Sequence, residues 1–510
     1  MDADVVVVGA GPVGLLLAAE LELAGAQALV VERLAEPSRE PRARGVGPLA
    51  AEALQRRGLG ARLDAFHPRG RADRARDHGS EKGHFGWIHK IDQEMQDEPH
   101  RTGVLIAQPD LERVLAEHLD RLGGKALRAH QVTALEEDGD GVTVVCGAPG
   151  GELRLRAAYV VGCDGGRSTV RKLAGFPFPG TGPLMTARRA DADVLCPAGL
   201  PPVGRTPTGT LFHAPGAVGT FDFEEAEVDP RSPVTTRELE ASLCRVAGTE
   251  VTVTALRGAT RFTDQARLVP SYRLGRVLLA GDAAHVHSPN GGQGLTLGLL
   301  DAANLGWKLA AAVDGRPGLL DSYTAERRPA AEAVLHNTRA QSALMRPGPH
   351  TDALRDIVAE LMDLPDVNRY FGRMLNGLGT RYPLPEAGPD AHPAVGTHCP
   401  DLVLTAPRTG GADRAAGASL YALTERGGSV LVHTDGAGLP PTAVEREGTD
   451  RESPDRESAV TVVRVGAIGG GELSAVLLRP DGVVAWAAAA GAPADPAGLD
   501  RALRTWCAPV

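Results

Sequence analysis

Four consecutive valines, Val5 to Val8, lead into a glycine-rich turn, then into apolar positions at helical spacing from Leu15 to Ala24, then into a second apolar run, Ala28 to Val31. A continuous apolar run has no solvent face and reads as a parallel strand buried on both sides, so this order predicts a βαβ unit. The α/β texture continues with Val104–Ile106, a helix from Pro109 to Leu122, and strands at Val132–Leu135 and Val142–Cys146 joined by a turn at Gly139–Gly141. An apolar strand from Tyr159 stops at Asp164-Gly165-Gly166, and another over Arg276–Ala280 stops at Gly281-Asp282. Between Phe176 and Val269 the pattern changes to Pro- and Gly-bounded β pieces, Thr210–His213, Val218–Phe223 and Glu250–Leu256, with a helix near Thr236–Val246. This predicts a separate sheet domain inserted into the first. After Asp301 a helical region runs to Leu378, with breaks expected at Gly315–Pro317 and Arg328–Pro329. A Pro/Gly-rich join, Tyr382–Gly396, precedes a last segment of strands and turns. Within it Pro440–Ser458, charged and without periodicity, reads as a disordered insert.

The 510 residues exceed what one hydrophobic core supports, which excludes a single-domain binding module. A hydrophobic content of 43% with 23% charged residues excludes wholesale disorder. Lys plus Arg number 54 against 64 Asp plus Glu, and the net charge of -10 disfavours a nucleic-acid or anionic-membrane footprint. Six dispersed cysteines without Cys-x-x-Cys or metal-ligand spacing point to reduced structural thiols in a cytoplasmic protein. The apolar run from Val5 to Ala19 has no basic flank, contains Gly and Pro, and is too short to span a bilayer.

Gly9, Gly11 and Gly14 form Gly-x-Gly-x-x-Gly between the first strand and its helix, with Pro12 and Val13 inside it and Glu32 at the end of the second strand. The first glycine permits the turn, the second lets backbone approach a pyrophosphate, the third packs helix on strand, and the helix N-terminus attracts the anion. Glu32 suits ribose hydroxyls and disfavours a 2′-phosphate there. NAD(P) and FAD both remain open on this motif alone.

Two more clusters narrow the choice: Cys163-Asp164-Gly165-Gly166-Arg167-Ser168 with Arg171, and Gly281-Asp282-Ala283-Ala284-His285 followed by Pro289-Asn-Gly-Gly-Gln-Gly294. In this order and spacing the three motifs resemble the class A flavoprotein monooxygenases of the p-hydroxybenzoate hydroxylase fold, over the whole chain. The resemblance implies an α/β protein: a Rossmann-like FAD-binding domain formed by 1–70, 100–177 and 270–395, an inserted β-sheet substrate domain from 71–99 and 178–269, and a thioredoxin-like C-terminal domain, 396–510. It implies FAD on the first glycine motif, with Asp282 at the ribityl and pyrophosphate region and Asp164-Gly165 serving FAD and NAD(P)H. The helix opening at Leu295, after Gly292 and Gly294, would place its N-terminus at the flavin pyrimidine edge, where charge accumulates on reduction. Pro289 lies in the same loop. The family commonly has Asn where this chain has Thr296. Gln108 and Arg42 match a Gln at a helix start and an Arg after a Pro beside the cofactor, and Arg33 and Val132 match positions along the adenine.

A narrower resemblance, to actinobacterial hydroxylases of aromatic polyketides, rests on Gly83-His-Phe-Gly86, Asn304-Leu-Gly-Trp-Lys-Leu-Ala310, Ser322 to Pro329, and Leu478 to Trp486. It implies an enzyme in which a reduced nicotinamide, NADPH or NADH, reduces FAD, O2 forms a C4a-hydroperoxide, and a polycyclic phenol or quinone is hydroxylated in antibiotic biosynthesis. Baeyer–Villiger insertion and oxidative rearrangement stay open, as does a second copy of the chain as partner. The chemistry is carried by the flavin, so no catalytic side chain is singled out. Phe85, Trp87, His89, Phe212, His213, Phe221 and Phe223 are the expected substrate wall, because alternate positions of a sheet line one face. His285 and His287 lack a correctly spaced third ligand, and no metal is expected. The C-terminal domain has no Cys-x-x-Cys, which leaves it a structural or dimer-supporting role.

Overall fold

The computed structural model describes residues 1–38, 43–66, 82–223, 232–405, 419–435, 437, 439, 460–493 and 495–507. Arg42, the stretch 71–81 and the Pro440–Ser458 insert lie outside the described residues.

The valine run becomes β1 (Ala3–Val8), followed by α1 (Pro12–Leu23) and β2 (Ala28–Val31). Among the described residues an eight-stranded sheet runs Arg273–Leu274, Val277–Leu279, Gly151–Gly162, β1, β2, Lys125–Leu127, with Val142–Ala148 antiparallel to Gly151–Gly162 and Gln131–Glu137 antiparallel to Val142–Ala148. The pairs made by β1, and those of Val277–Leu279 with Gly151–Gly162 and β2 with Lys125–Leu127, are parallel. Val5, Val6 and Val7 are fully buried, as a two-sided parallel strand requires. This sheet is the floor of the site.

The region after Phe176 forms a second, antiparallel sheet in the order Gly204–Arg205, Gly209–Ala214, Ala217–Asp222, Thr186–Leu195, Thr252–Thr263. Helix Thr236–Ala247 covers one face, and Leu211, Val218, Leu239, Leu243 and Val253 make its core. A hairpin of Gly83–Phe85 and Ile88–Ile91 turns through Gly86 (φ 56) and Trp87 (φ 64), the left-handed pair of a type I′ turn.

Helix α2 (Pro48–Gln55) and α3 (Gln108–Arg121) precede the long α4 (Gly294–Val313) and α5 (Asp321–Met345). Contrary to the expected break at Arg328–Pro329, α5 continues through Pro329; the chain breaks instead at Arg346–Gly348 and after Leu361, giving α6 (Pro349–Leu361) and α7 (Pro365–Asn376). Proline costs a helix interior about 3 kcal/mol. The preceding side chains of Glu326 and Arg327 are locked into buried ion pairs, and these tertiary contacts hold the helix across the missing hydrogen bond. At the C-terminal end Ser429–Thr434 pairs in parallel with Val460–Val465 and antiparallel with Leu473–Leu478, which in turn pairs with Val484–Ala489; helix Pro496–Trp506 packs on them.

Candidate active site

Each glycine of the first motif has a different steric reason. Gly9 has φ 111, and a Cβ there would sit 2.6 Å from the Cys163 carbonyl oxygen; a Cβ on Gly14 would overlap the Gly9 carbonyl oxygen. Gly11 has nothing within 4 Å, so its backbone borders open space at the mouth of α1. Glu32 accepts from the backbone N–H of Ala10 and of Leu34, both at 2.8 Å, which fixes its carboxylate and leaves acceptor capacity for ribose hydroxyls. His130 N–H donates to the Glu32 carbonyl at 2.9 Å, which brings the Val132 strand beside Glu32 and the exposed Arg33.

Three helix N-termini converge here. Gly11, Gly47 and Gln293 cap α1, α2 and α4, and none makes a side-chain capping bond. Val13 of α1 packs against the Gly281 turn and α4: a Cβ on Gly281 or on Gly298 would meet it at 3.1 and 2.8 Å. Thr296 Oγ1 accepts the Gly47 N–H at 2.7 Å, so the hydroxyl at this position ties the start of α4 to the start of α2. Uncapped N–H groups and aligned dipoles favour an anion. The segment from His287 to Gly294 holds further unmet polar atoms, since Asn290 Nδ2 and His287 Nε2 are buried without a partner. His287 Nδ1 contacts the Ser288 carbonyl at 2.7 Å, and burial pushes its imidazole down to about 4, so it presents a neutral ring. Together these features fit a pyrophosphate-bearing flavin: a cradle at Gly11, an acidic ribose partner and orphan polar atoms at the loop.

The remaining expected residues fall around this centre. Asp282 is exposed on the turn after Val277–Leu279, while Gly281 adopts φ 63. Pro289 is exposed, Gly292 takes φ 66, and Gly294 and Leu295 begin α4. Gln108 starts α3, donating its N–H to the Ala43 carbonyl at 2.9 Å and its side-chain amide to Glu112. Asp164 faces the start of the short helix Thr169–Leu173 that follows it: its carboxylate accepts from Ser168 Oγ (2.5 Å), Thr169 N (2.6 Å) and Val170 N (3.2 Å), while Gly165 supplies φ 80. The neighbouring Arg171 donates to the carbonyls of Gly166 and Ala283, both at 2.9 Å, and so joins the Asp164 turn to the Asp282 turn.

Sequence reasoning missed the support beneath the Gly281 turn. Asp301 Oδ2 accepts from Gly281 N–H (3.0 Å) and lies 2.8 Å from His285 Nε2; its Oδ1 accepts from Arg327 Nε at 2.7 Å. Arg327 also donates to Tyr382 Oη and the Leu297 carbonyl. Burial alone would raise the Asp301 carboxyl, but Arg327 and His285 outweigh it and hold it below the usual carboxylate range. A signal was present: α4 is apolar nearly all round, so Asp301, Asn304 and Lys308 within it require buried partners.

Of the aromatic positions, Trp87 meets Phe221 at 5.7 Å between centroids and His89 at 5.8 Å, and Phe221 continues to Phe262 at 6.1 Å. Phe212, opposite Gly219, points to the same sheet face as Phe221. His213 is paired with Val218 on the face covered by Thr236–Ala247 and contacts the Pro201 carbonyl at 2.8 Å. Phe85 packs on Phe371, in a core cluster with Ile88, Leu344 and Met362. Phe223 is half-buried just beyond its strand.

A family model described as "FAD binding domain" matches residues 2–338, and one described as "Aromatic-ring hydroxylase, C-terminal" matches 392–509. The chain belongs to the FAD-dependent monooxygenases. A relative from Streptomyces rimosus subsp. rimosus, 12-dehydrotetracycline 5-monooxygenase/anhydrotetracycline 6-monooxygenase, is 41% identical over 100% of this chain and 99% of its own. Two solved structures cover 100% of both chains: CabE, an aromatic hydroxylase from angucycline biosynthesis (36% identity, TM-score 0.84), and OxyS anhydrotetracycline hydroxylase from Streptomyces rimosus (37%, 0.82). The protein is therefore an FAD enzyme that uses O2 and a reduced nicotinamide, on a mixed α/β hydroxylase fold. Among the described residues no helix is long and apolar enough to cross a membrane.

Proposed function

We propose that the protein hydroxylates an aromatic polyketide, a polycyclic phenol or quinone, in antibiotic biosynthesis. The observation that carries this reading is the ring wall of Trp87, Phe221 and Phe262 on the face of the five-stranded sheet opposite helix Thr236–Ala247, in a chain similar from end to end to tetracycline- and angucycline-type hydroxylases. Bound FAD supplies reduction by the nicotinamide and activation of O2. In this reading Gly9, Gly11, Gly14 and the uncapped helix ends hold its pyrophosphate, Glu32 its ribose, and Asp282 its ribityl chain. Arg171 and Asp301 fix the turns that present these groups. The aromatic wall stacks a planar substrate and excludes water from the reacting centre.

The inserted sheet with the hairpin would form the substrate domain, within 71–99 and 178–269, between the parts of the discontinuous FAD domain. The C-terminal unit, 396–510, is assigned a thioredoxin-like fold on its parallel pair flanked by antiparallel strands and a helix; Cys399 and Cys507 in it are separate and buried, so it is read as redox-silent. A second copy of the chain and a cytoplasmic location complete the proposal.

The test is turnover of the yellow holoenzyme with NADPH or NADH and 18O2 on a panel of polycyclic phenols that includes anhydrotetracycline. One 18O on a ring carbon of the product, with oxidised nicotinamide and water as coproducts, is expected. An 18O inside a new lactone would replace hydroxylation by Baeyer–Villiger insertion, and peroxide as the sole product across the panel would overturn the substrate class.

A further inference from the structure

The turn that carries Trp87 is connected to the flavin-side loop by a chain of buried amides drawn from two elements far apart in sequence. Gly86 N–H donates to Gln341 Oε1 at 3.1 Å, Gln341 Nε2 donates to Asn337 Oδ1 at 3.0 Å, and Asn337 Nδ2 donates to Gln293 Oε1 at 2.8 Å. Gln293 Nε2 ends the chain on the carbonyls of Leu375 (3.0 Å) and Met374 (3.2 Å). Asn337, Gln341 and Gln293 are 2%, 0% and 6% exposed. The direction of the chain is forced. A backbone N–H at one end demands an oxygen, two carbonyls at the other demand a nitrogen, and each amide between must therefore accept on one side and donate on the other. Aligned bonds of this kind polarise one another, and a break at any member leaves buried groups unpaired.

Both ends of the chain sit where position matters. Trp87 holds φ 64, a conformation that costs a bulky residue about 1–3 kcal/mol and persists only when its surroundings over-determine it. The peptides on both sides of Gly86 supply that constraint, since the Gly86 N–H is held by Gln341 while the Gly86 carbonyl accepts from Arg355 Nη1 at 2.5 Å. At the other end Gln293 lies between Gly292 and Gly294 and caps α4, in the loop with the orphan Asn290 and His287 atoms. A Cβ on Gly291 would already come within 3.0 Å of Gln341 Nε2, so loop and chain are packed without slack.

We propose that Asn337 and Gln341 are positioning residues that set the Trp87 turn against the flavin-side loop, so that a change at either end is felt at the other. This rests on the assignment of Trp87 to the substrate wall for its functional meaning, but not for its test. Linkage requires the coupling to run both ways, so a change in flavin redox state must reach Trp87 in the absence of any substrate.

The holoenzyme labelled with 5-fluorotryptophan carries four indole reporters, and the Trp87 signal is assigned by its loss in Trp87→Phe. On anaerobic reduction of bound FAD by dithionite the Trp87 19F resonance is expected to shift. The shift should fall by about half or more in Gln341→Met and in Asn337→Leu at equal FAD content. Thr338→Val, whose hydroxyl bonds only the Leu335 carbonyl, should keep it in full. If Gln341→Met does not fold, Gln341→Glu retains an acceptor for Gly86 and loses the amide donor, and it too should show a diminished shift. An unmoved Trp87 signal in the parent enzyme, or a full shift in the relay variants, overturns the proposal. A protein that purifies without FAD would instead contradict the flavoenzyme assignment, and a reduction shift without any response to polycyclic phenols would count only against the substrate wall.

Discussion

At Gly9, Gly11 and Gly14 one motif separates into two kinds of requirement. Gly9 and Gly14 lack room for a methyl because protein backbone occupies it, whereas the space beside Gly11 is empty of protein. Gly14→Ala should therefore lower the stability of the apoprotein by about 1–3 kcal/mol, the cost of overpacking against the Gly9 carbonyl. Gly11→Ala should leave the apoprotein melting temperature unchanged and weaken FAD binding by about tenfold or more, roughly 1.4 kcal/mol, because the methyl stands where the pyrophosphate must approach. Thermal melts of both apoproteins with FAD titration by flavin fluorescence separate the two outcomes. These roles were legible in the sequence because strand, turn and helix are contiguous. The Asp301–Arg327 pair was not: its members lie 26 positions apart, and only the all-round apolar character of α4 hinted that its carboxylate must be paired.

Elements show the same division between local and distant information. The βαβ unit, the hairpin at Gly139–Gly141 and helix Thr236–Ala247 follow from periodicity and turn residues within a few positions. Pro329 misleads for the opposite reason, since the local rule is overruled by Glu326 and Arg327, whose partners are remote in sequence. Pro329 is exposed, so Pro329→Ala restores a helical N–H without opening a cavity and should stabilise the fold by about 1–2 kcal/mol after the lost rigidity of the unfolded chain is allowed for, read as a raised melting temperature. A lower melting temperature would mean that the packing of α5 depends on the proline. Between α2 and α4, Leu49 and Ala53 pack on Leu300 and Ala303, and the Thr296 hydroxyl ties the two helix starts together. Thr296→Val keeps the shape but strands the Gly47 N–H, at about 1 kcal/mol. FAD release, followed as recovery of free-flavin fluorescence, should become several-fold faster, while Thr296→Ser should behave as the parent.

The whole molecule is closed by the turn Arg479–Gly482, which inserts from the C-terminal unit into the helices of the FAD unit. Arg479 makes paired bonds to Glu326 (2.8 and 2.7 Å) and to Asp481 (3.1 and 2.5 Å), Lys308 reaches Glu326 at 2.8 Å, and Asn304 bridges both carboxylates. Arg57, paired with Glu20, adds bonds to the carbonyls of Thr424 and Pro480. Glu326 and Arg327 are consecutive, so the residue that grips the C-terminal unit adjoins the one that supports the Gly281 turn. The sequence marked Leu478–Trp486 as a motif without showing what it touched, because its partners lie on α4 and α5. Removing one member of such a cluster leaves charge buried, which costs about 3–5 kcal/mol. Arg479→Met should therefore lower stability by about that amount at neutral pH and loosen the C-terminal unit first, detectable as limited proteolysis near its join. The pH dependence follows from the same charges. Burial alone would raise the carboxyls of Glu326 and Asp481, but Arg479 with Lys308 holds them below their ordinary values of 4.5 and 3.8. In the parent enzyme their stabilisation is complete above about pH 4.5 and is lost as pH falls through the depressed folded values. In Arg479→Met Lys308 still holds Glu326, but at Asp481 burial and the Glu326 charge prevail, its folded carboxyl binds a proton more readily than the unfolded one, and acidification relieves the variant. The difference in melting temperature between the two should be largest at neutral pH and shrink steadily toward pH 4.5; a difference independent of pH would show that Arg479 acts by packing on Trp506 and Trp307 rather than by charge.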